Sequence, residues 1–388
     1  MRLIPRTLDV PASPIANAHR HIVDRNPDLA LLDLSQAAPS YPTAPAVAER
    51  IAEVAASDTG GRYAPPPGLP ALLDAFAEDL SLSYRASFDH NQLLPTGGCN
   101  QAFCVIASTL TRPGDEVIVP VPYYFNHDMW LKLDGVVPRY LVPADPLESL
   151  VPDPEQAAGL INKRTRAIVL VTPGNPTGVT IPPAVIARFH ALAVEHDLAL
   201  IIDETYRNFR TTDDPPHHLF DLPDWIDTVV SLHSFSKDLA IPGYRVGAIV
   251  AGAKVNAEVL KLLDCVQICA PRVSQEAAAT GLNLAREWRA AKAAEINETL
   301  RHFEAVMADE PGGSGEWDEV LDAQLAHETL SVLSPNHRAA LSLRYLDGLP
   351  VGEIAHLLGR TVGATEALLT RAKAAFRAAY PSKGDGHD

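Results

Sequence analysis

The sequence is poor in several residue types, and each shortage excludes a class of protein. Its 388 residues include only four cysteines, and aromatic residues make up 6%. The cysteines, Cys99, Cys104, Cys265 and Cys269, form no Cys-x-x-Cys pair. We therefore expect reduced, partly buried thiols, and neither a disulfide framework nor a metal site.

Long apolar runs and positive charge are also scarce. No run is long enough to span a membrane, and the first nine residues lack the apolar stretch of a signal peptide, so we expect a cytoplasmic protein without a membrane partner. Lysine and arginine total 32 against 48 acidic residues, a net charge of −16. This balance argues against a wholly nucleic-acid-binding surface, although one small basic module is compatible with it.

The overall composition is that of a globular protein, with 47% hydrophobic and 21% charged residues. Helical patterns, for example at residues 99–110 and 184–195, alternate with short apolar runs typical of strands buried on both faces. The sequence therefore predicts an α/β fold with a mostly parallel sheet and ligand-binding residues at the strand ends. The predicted strands are residues 92–94, 116–119, 167–172, 198–202, 228–232 and 246–250.

The character of the chain changes after this region. Residues 273–308 form a pattern typical of one extended helix, straight or bent, and the glycine-rich stretch 311–315 predicts a linker. We predict a first domain at residues 1–310 and a small all-α domain at residues 316–388. Its predicted helices are residues 316–332, 335–346, 351–358 and 365–380.

The strongest chemical signal is Lys237, which follows Ser234 and Ser236 and precedes Arg245 by eight residues. A lysine amine can form a Schiff base with an aldehyde, while the hydroxyls and the guanidinium can hold a phosphate. Pyridoxal phosphate presents both groups. Apolar runs on both sides place Lys237 beside a buried sheet, so it is unlike a solvated surface lysine.

Other loop motifs meet the needs of the same cofactor. Gly98 and Cys99 lie between a strand and a helix, where backbone amides can receive a phosphate, although Gly-Gly is often only a turn. Tyr124 offers a ring for stacking or packs in the core. Asp203 can keep a pyridine nitrogen protonated or can cap a turn, and Asn175 and Tyr206 can bond a phenolate oxygen. Their joint occurrence, each near a strand end, favours the cofactor interpretation.

With these motifs, residues 33–308 resemble the fold-type I aminotransferases of class I/II. The resemblance implies that Lys237 is the Schiff-base lysine and proton shuttle and that Asp203 pairs with the pyridinium. Asn175 and Tyr206 would bond the phenolic oxygen, with Tyr124 stacked on the ring. The implied phosphate ligands are Ser234, Arg245, Gly98, Cys99 and, as a second serine, Ser236.

The same resemblance implies a homodimer, because Tyr63 matches a tyrosine that the family donates to the neighbouring subunit's phosphate. Two positions depart from the family pattern. Ala37 stands where a substrate-contacting glycine is usual, and Cys99 replaces a serine or threonine. The backbone amide of Cys99 is unaffected by that replacement.

The tail resembles region 4 of extracytoplasmic-function sigma factors over residues 316–380. Apolar spacing and a glycine turn predict a helix-turn-helix, with Thr365, Arg371 and Lys373 as DNA contacts. Residues 333–380 hold six basic and three acidic side chains, a balance that suits DNA weakly. The resemblance implies promoter DNA and RNA polymerase as partners, and a purely structural helical hairpin remains the alternative.

No residue after Ala308 matches the arginine with which aminotransferases hold the substrate carboxylate. Three hypotheses therefore stay open. In the first, the chain is an aminotransferase that acts on an amino donor and a keto acceptor and carries an appended helix-turn-helix. In the second, it is a regulator that senses ligands through a pyridoxal-phosphate domain. In the third, it is a fused reading frame in which neither half works fully.

Overall fold

A computed structural model describes residues 4–16, 18, 36–146, 149–309, 337, 340, 341, 344, 350–358 and 360–379. These residues fall into two compact units, residues 1–299 and 300–388. The predicted linker at 311–315 and the predicted helix at 316–332 lie outside the described residues. Among the described helices, none combines the length and the apolar character that crossing a membrane requires.

The first unit is built on one seven-stranded sheet with helices on both faces. Its strands are β1 Leu93–Thr96, β2 Glu116–Pro120, β3 Val137–Leu141, β4 Thr165–Val171, β5 Ala199–Asp203, β6 Val229–Ser234 and β7 Gly247–Val250. The spatial order is β1-β7-β6-β5-β4-β2-β3, in which only β7 runs antiparallel to its neighbours. This arrangement confirms the predicted mostly parallel α/β fold.

The described helices include several that begin with a proline at the first or second position, where its missing N–H is no loss. Those of the first unit are α1 Pro5–Asp9, α2 Pro45–Ala56, α3 Pro70–Tyr84, α4 Cys99–Leu110, α5 Phe125–Asp134, α6 Pro154–Ala158, α7 Pro183–Glu195, α8 Trp225–Thr228, α9 Ala253–Val266 and α10 Arg272–Leu284. The next helix, α11 Arg286–Asp309, extends beyond this unit. Short 3₁₀ turns occupy His90–Gln92, Arg207–Phe209, Leu219–Asp221 and Pro242–Tyr244.

Two apolar layers hold these helices against the sheet. Alternate residues of β5 divide between them, because Leu200 and Ile202 join one cluster and Ile201 joins the other. Phe76 of α3 and Phe189 of α7 fill the first layer. The sheet is therefore buried on both faces, and its open carboxyl edge is left for polar loops.

Two features of this unit differ from the predictions made from the sequence. It predicted one long helix over residues 273–308, but α10 and α11 are separate helices that break at Ala285. It also missed β3, an edge strand in which Val137 and Tyr140 are exposed, so that no buried apolar run marks it.

In the second unit, α12 Val351–Leu357 and α13 Val362–Ala379 are joined by a short turn. Leu368, Leu369 and Ala372 of α13 belong to a buried apolar cluster, and Val351 of α12 packs against it. Thr361 precedes α13, and its hydroxyl accepts a hydrogen bond from the Ala364 amide at 3.3 Å. This cap explains why the helix begins three residues before the predicted start.

Candidate active site

One cavity of about 570 Å³ opens where the strand ends and their loops meet. Nine of the eleven predicted cofactor residues line it: Cys99, Tyr124, Asn175, Asp203, Tyr206, Ser234, Ser236, Lys237 and Arg245. Gly98 adjoins this cavity through its close approach to the Arg245 guanidinium. Four further residues line the wall and were not predicted from the sequence: Ser13, Ile15, Ala16 and Gln36.

Lys237 extends into this cavity from the loop that follows β6. Its amine donates a hydrogen bond of 2.6 Å to the carbonyl of Ala37, and in the described part of the chain it has no carboxylate partner. Burial, and next the positive charge of Arg245, lower the pKa of the Lys237 amine below its ordinary value. An amine in this setting is more readily deprotonated than a surface lysine and is a better nucleophile.

Arg245, Gly98 and the start of α4 form an anion-binding corner. Gly98 has φ +97°, and a Cβ there would lie 2.4 Å from Nη2 of Arg245, so only glycine permits this approach. Arg245 itself is left-handed with φ 49°, and its Nη1 donates to the Pro242 carbonyl at 2.9 Å. The free amides at the beginning of α4 and the guanidinium therefore converge on one place.

Two serines and one cysteine complete this corner. The Ser236 hydroxyl is buried and has no hydrogen-bond partner among the described residues, whereas Ser234 Oγ accepts from the Ser236 amide at 3.2 Å. Burial, and next the Asp203 carboxylate, raise the pKa of the Cys99 thiol well above its ordinary value. Cys99 can therefore offer its backbone amide to an anion, but not a thiolate.

Asp203 ends β5 and is 4% exposed. One carboxylate oxygen accepts from the Thr205 amide at 3.0 Å, and the other lies 3.3 Å from Nε2 of His127. Burial alone would raise the pKa of Asp203, but the hydrogen bond and charge of His127 outweigh it and leave the pKa lowered. Asp203 therefore stays a carboxylate at neutral pH.

His127 was not among the site residues predicted from the sequence. It lies on α5, one turn after Tyr124, and its ring stacks on Phe103 with 4.0 Å between the ring centroids. Its Nδ1 has no partner among the described residues. The signal available in the sequence was the polar pair Asn126-His127, which directly follows the aromatic run Tyr123-Tyr124-Phe125.

Tyr124, Asn175 and Tyr206 line the cavity together with Asp203. Tyr124 donates to Asn100 Oδ1 at 3.2 Å, and Asn175 Nδ2 lies 3.5 Å from the Tyr206 hydroxyl. Burial, and next Asp203, raise the pKa of Tyr206 to about 12, so its hydroxyl remains a hydrogen-bond donor at neutral pH. The structure brings Asn175 and Tyr206 together, as a shared oxygen ligand requires.

These groups fit pyridoxal phosphate. The buried, unpartnered Ser236 hydroxyl and the corner that a Cβ at Gly98 would fill suit a phosphate, and the Asp203 carboxylate suits a pyridinium. Tyr63 is different, since its side chain is 74% exposed and does not line the cavity. Its role in a partner's site stays a prediction.

The three predicted DNA contacts in the second unit differ in their exposure. Thr365 is fully buried and its hydroxyl donates to the Thr361 carbonyl at 3.0 Å, so the prediction that its side chain meets DNA is wrong. The physical reason is that α13 turns Thr365 toward the core shared with α12. Arg371 and Lys373 are exposed.

Comparisons with known proteins agree with this geometry. The family model "Aminotransferase class I and II" matches residues 30–336, and "Sigma-70, region 4" matches residues 323–376. The chain is 30% identical over 244 residues to a probable aspartate/prephenate aminotransferase of Thermus aquaticus, covering 61% of each chain. It is 33% identical over 263 residues to the arginine–pyruvate transaminase AruH of Pseudomonas aeruginosa, covering 65% of this chain and 63% of that one.

The chain thus spans less than two thirds of the length of both of these curated relatives. Among solved structures, a tetra mutant of Thermus thermophilus aspartate aminotransferase complexed with tryptophan matches with a TM-score of 0.73 and 26% identity, covering 80% of each chain. Members of this fold-type I family use pyridoxal phosphate, the group that the cavity fits. The chain belongs to the class I and II aminotransferases and carries a sigma-70 region 4 segment near its C-terminus.

Proposed function

We propose that this protein is a pyridoxal-phosphate-dependent transaminase that moves an amino group from an amino acid or related amine to a keto acid. The observation that carries the proposal is one cavity holding the Lys237 amine, the buried Asp203 carboxylate and the anion-binding corner at Arg245. A second copy of the chain and a cytoplasmic location are part of the proposal.

Each side chain has a task that its surroundings support. Arg245, the amides at Gly98 and Cys99, and the hydroxyls of Ser234 and Ser236 hold the phosphate. Asp203, kept charged by His127, holds a proton on the pyridine nitrogen, and Tyr124 covers the ring. When bound, pyridoxal phosphate supplies an aldehyde that condenses with amines and a ring that accepts electrons from the substrate Cα.

Lys237 performs two steps in this proposal. Its amine, with a lowered pKa, would hold the cofactor through its aldehyde carbon. Once freed by the substrate amine, it would move a proton from the substrate Cα to that aldehyde carbon. Asn175 and Tyr206 would donate hydrogen bonds to the cofactor's phenolic oxygen. These bonds would stabilise that oxygen as an anion and help to orient the cofactor ring.

The substrate carboxylate has no assigned arginine. Among the described residues that line the cavity, the cations are Lys237 and Arg245, and both are committed to the cofactor. A bidentate arginine–carboxylate pair contributes on the order of 1.5–3 kcal/mol. We therefore expect slow half-reactions with common amino acids and affinity for substrate that is weakened more than affinity for cofactor.

The second candidate function is a transcription regulator that binds promoter DNA and RNA polymerase through the sigma-like segment. The match to sigma-70 region 4 and the exposed Arg371 favour it. Fast turnover of an ordinary amino acid would establish the enzyme. Amino acids that alter DNA affinity while turnover stays undetectable would establish the regulator.

The direct test is Lys237→Ala. We expect this variant to lose the cofactor absorbance of the purified protein, because no other lysine among the described residues lines the cavity that holds the anion-binding corner. Borohydride reduction followed by peptide mass spectrometry should find the cofactor on Lys237 in the unaltered protein. Lys261→Ala is the control, since Lys261 is an exposed lysine paired with Glu258. A single modified lysine elsewhere, or unchanged labelling of Lys237→Ala, would disprove the assignment.

A further inference from the structure

Four buried charges form a network behind the cavity. Arg289 of α11 binds Asp79 through Nη1 at 2.9 Å and Asp238 through Nη2 at 3.0 Å. Arg207 also pairs with Asp79 and donates to Ser83 Oγ at 2.7 Å. Each of the four side chains is less than 10% exposed, and none lines the cavity. We call Asp79, Arg207, Asp238 and Arg289 the charge network.

Two members of the charge network adjoin the proposed active-site residues in sequence. Asp238 follows Lys237, and Arg207 follows Tyr206. In each pair one side chain reaches the cavity and the next is anchored in the network. Asn208 Nδ2 also donates to Asp238 Oδ2 at 2.6 Å, so the loop after β5 is bonded directly to the loop after β6.

Stability is a weak explanation for such an arrangement. Removing four charges from water is unfavourable, and a packed apolar cluster in the same place would often be as stable. A set of directional bonds instead fixes the geometry of the backbone that carries it. Lys237 needs this fixation, because its long side chain is otherwise held through one bond from its amine to the Ala37 carbonyl.

We propose that the charge network positions Lys237, with Asp238 and Arg289 as its principal positioning residues. The inference rests on the proposed role of Lys237 in attaching the cofactor. Asp238 Oδ2 accepts two hydrogen bonds, one from Arg289 Nε and one from Asn208, and forms an ion pair with Arg289 Nη2. Together these contacts lock the Lys237–Asp238 peptide. The amine then points at the cavity and not into solvent.

Comparing the affinities for two forms of the cofactor distinguishes the positioning of Lys237 from a general effect on folding. Pyridoxal phosphate binds through its phosphate, its ring and a covalent link to an amine, whereas pyridoxamine phosphate has no aldehyde and cannot form that link. Absorbance or fluorescence titration of cofactor-free protein measures the affinity for each. A misplaced Lys237 weakens the first affinity alone, and a loosened fold weakens both.

The variants are Arg289→Gln and Arg289→Lys, with Arg286→Gln as the matched control. Arg286 lies on the same helix and pairs with the exposed Glu78 at 3.3 Å. We expect Arg289→Gln to weaken pyridoxal phosphate binding by about tenfold, the effect of losing one hydrogen bond to a charged group. Pyridoxamine phosphate binding should be almost unchanged, Arg289→Lys should recover part of the loss, and Arg286→Gln should show none.

Equal weakening of both cofactor forms in Arg289→Gln would overturn the proposal. If Arg289→Gln does not fold, Asn208→Ala serves instead, because it removes one neutral donor to Asp238 and leaves the ion pairs in place. It should show the same selective loss with a smaller size, and an unselective loss would again overturn the proposal. Failure of the proposed function is distinguished by Lys237→Ala, which would then bind both forms as the unaltered protein does.

Discussion

At the scale of single residues, the reactivity of the site depends on the charge state of Lys237. Burial and the Arg245 cation both lower the pKa of its amine, and only the second of these causes can be removed by a substitution. In Arg245→Gln we therefore expect the pKa of Lys237 to rise toward that of an ordinary lysine, while burial keeps it below that value.

The measurement is the rate at which acetic anhydride labels Lys237 in cofactor-free protein as pH is varied. In Arg245→Gln the midpoint of that profile should move to higher pH, because the amine loses its proton later. Lys261, which is exposed and does not line the cavity, is the internal reference, and its midpoint should not move. An unchanged Lys237 midpoint would show that Arg245 does not act on the amine.

In the proposed function, Asp203 is the second residue whose charge controls the reaction. Asp203→Asn keeps the size of the side chain but removes the charge that holds the pyridinium, so cofactor should stay bound while the ring becomes a poorer electron acceptor. We expect hydrogen exchange at the substrate Cα to slow roughly tenfold to a hundredfold. Asp221→Asn, in an exposed pair with His218, is the control. An unchanged exchange rate would remove Asp203 from this role.

At the scale of elements, α13 presents two different faces. Leu368, Leu369 and Ala372 are buried, whereas Arg371 is exposed and free to meet a phosphate on DNA. On a duplex of arbitrary sequence, Arg371→Gln should weaken binding and reduce the slope of log affinity against log salt by about one.

The matched control is Glu366→Gln on the same helix, which removes an exposed negative charge and should leave binding equal or stronger. Filter binding or fluorescence anisotropy at several salt concentrations measures both variants. The same salt slope for Arg371→Gln and the unaltered protein would show that this face of α13 does not contact DNA.

The elements also show how far the sequence could predict the structure. The Cys99–Leu110 helix was predicted to the residue, because a glycine precedes it and its apolar period is regular. The break at Ala285 was not predicted, since alanine is a good helix former and the break depends on tertiary packing. Lys237 and Asp203 were found because their motifs are local. The charge network was not, because Asp79 and Arg289 are 210 residues apart.

At the scale of the whole molecule, the proposed homodimer predicts shared sites. Tyr63 is exposed in a single copy, as a residue that completes a partner's site would be. Sedimentation should show a dimer. Tyr63→Ala should weaken cofactor binding in that dimer, since a phosphate loses a hydrogen bond from a tyrosine.

Hybrid dimers provide the sharper test of this sharing. Mixing Tyr63→Ala chains with Lys237→Ala chains produces some dimers in which one site has both an intact Lys237 and a Tyr63 from its neighbour. If Tyr63 acts across the interface, the mixture should regain cofactor affinity that neither variant has alone. If Tyr63 acts within its own chain, or if the protein sediments as a cofactor-loaded monomer, no recovery is expected.

The pairing of β1 with β7 also determines when the protein can first retain its cofactor during synthesis. Gly98 and Cys99 follow β1, Arg245 precedes β7, and these groups meet because Thr96 pairs with Gly247 across the sheet. A growing chain therefore exposes Lys237 before its anion-binding corner can exist. Translation adds roughly 5–20 residues per second, so the time between the synthesis of Lys237 and that of β7 is short. We therefore expect chains arrested before β7 to contain the lysine and yet release the cofactor, so that a newly made chain retains its cofactor only after the sheet is complete.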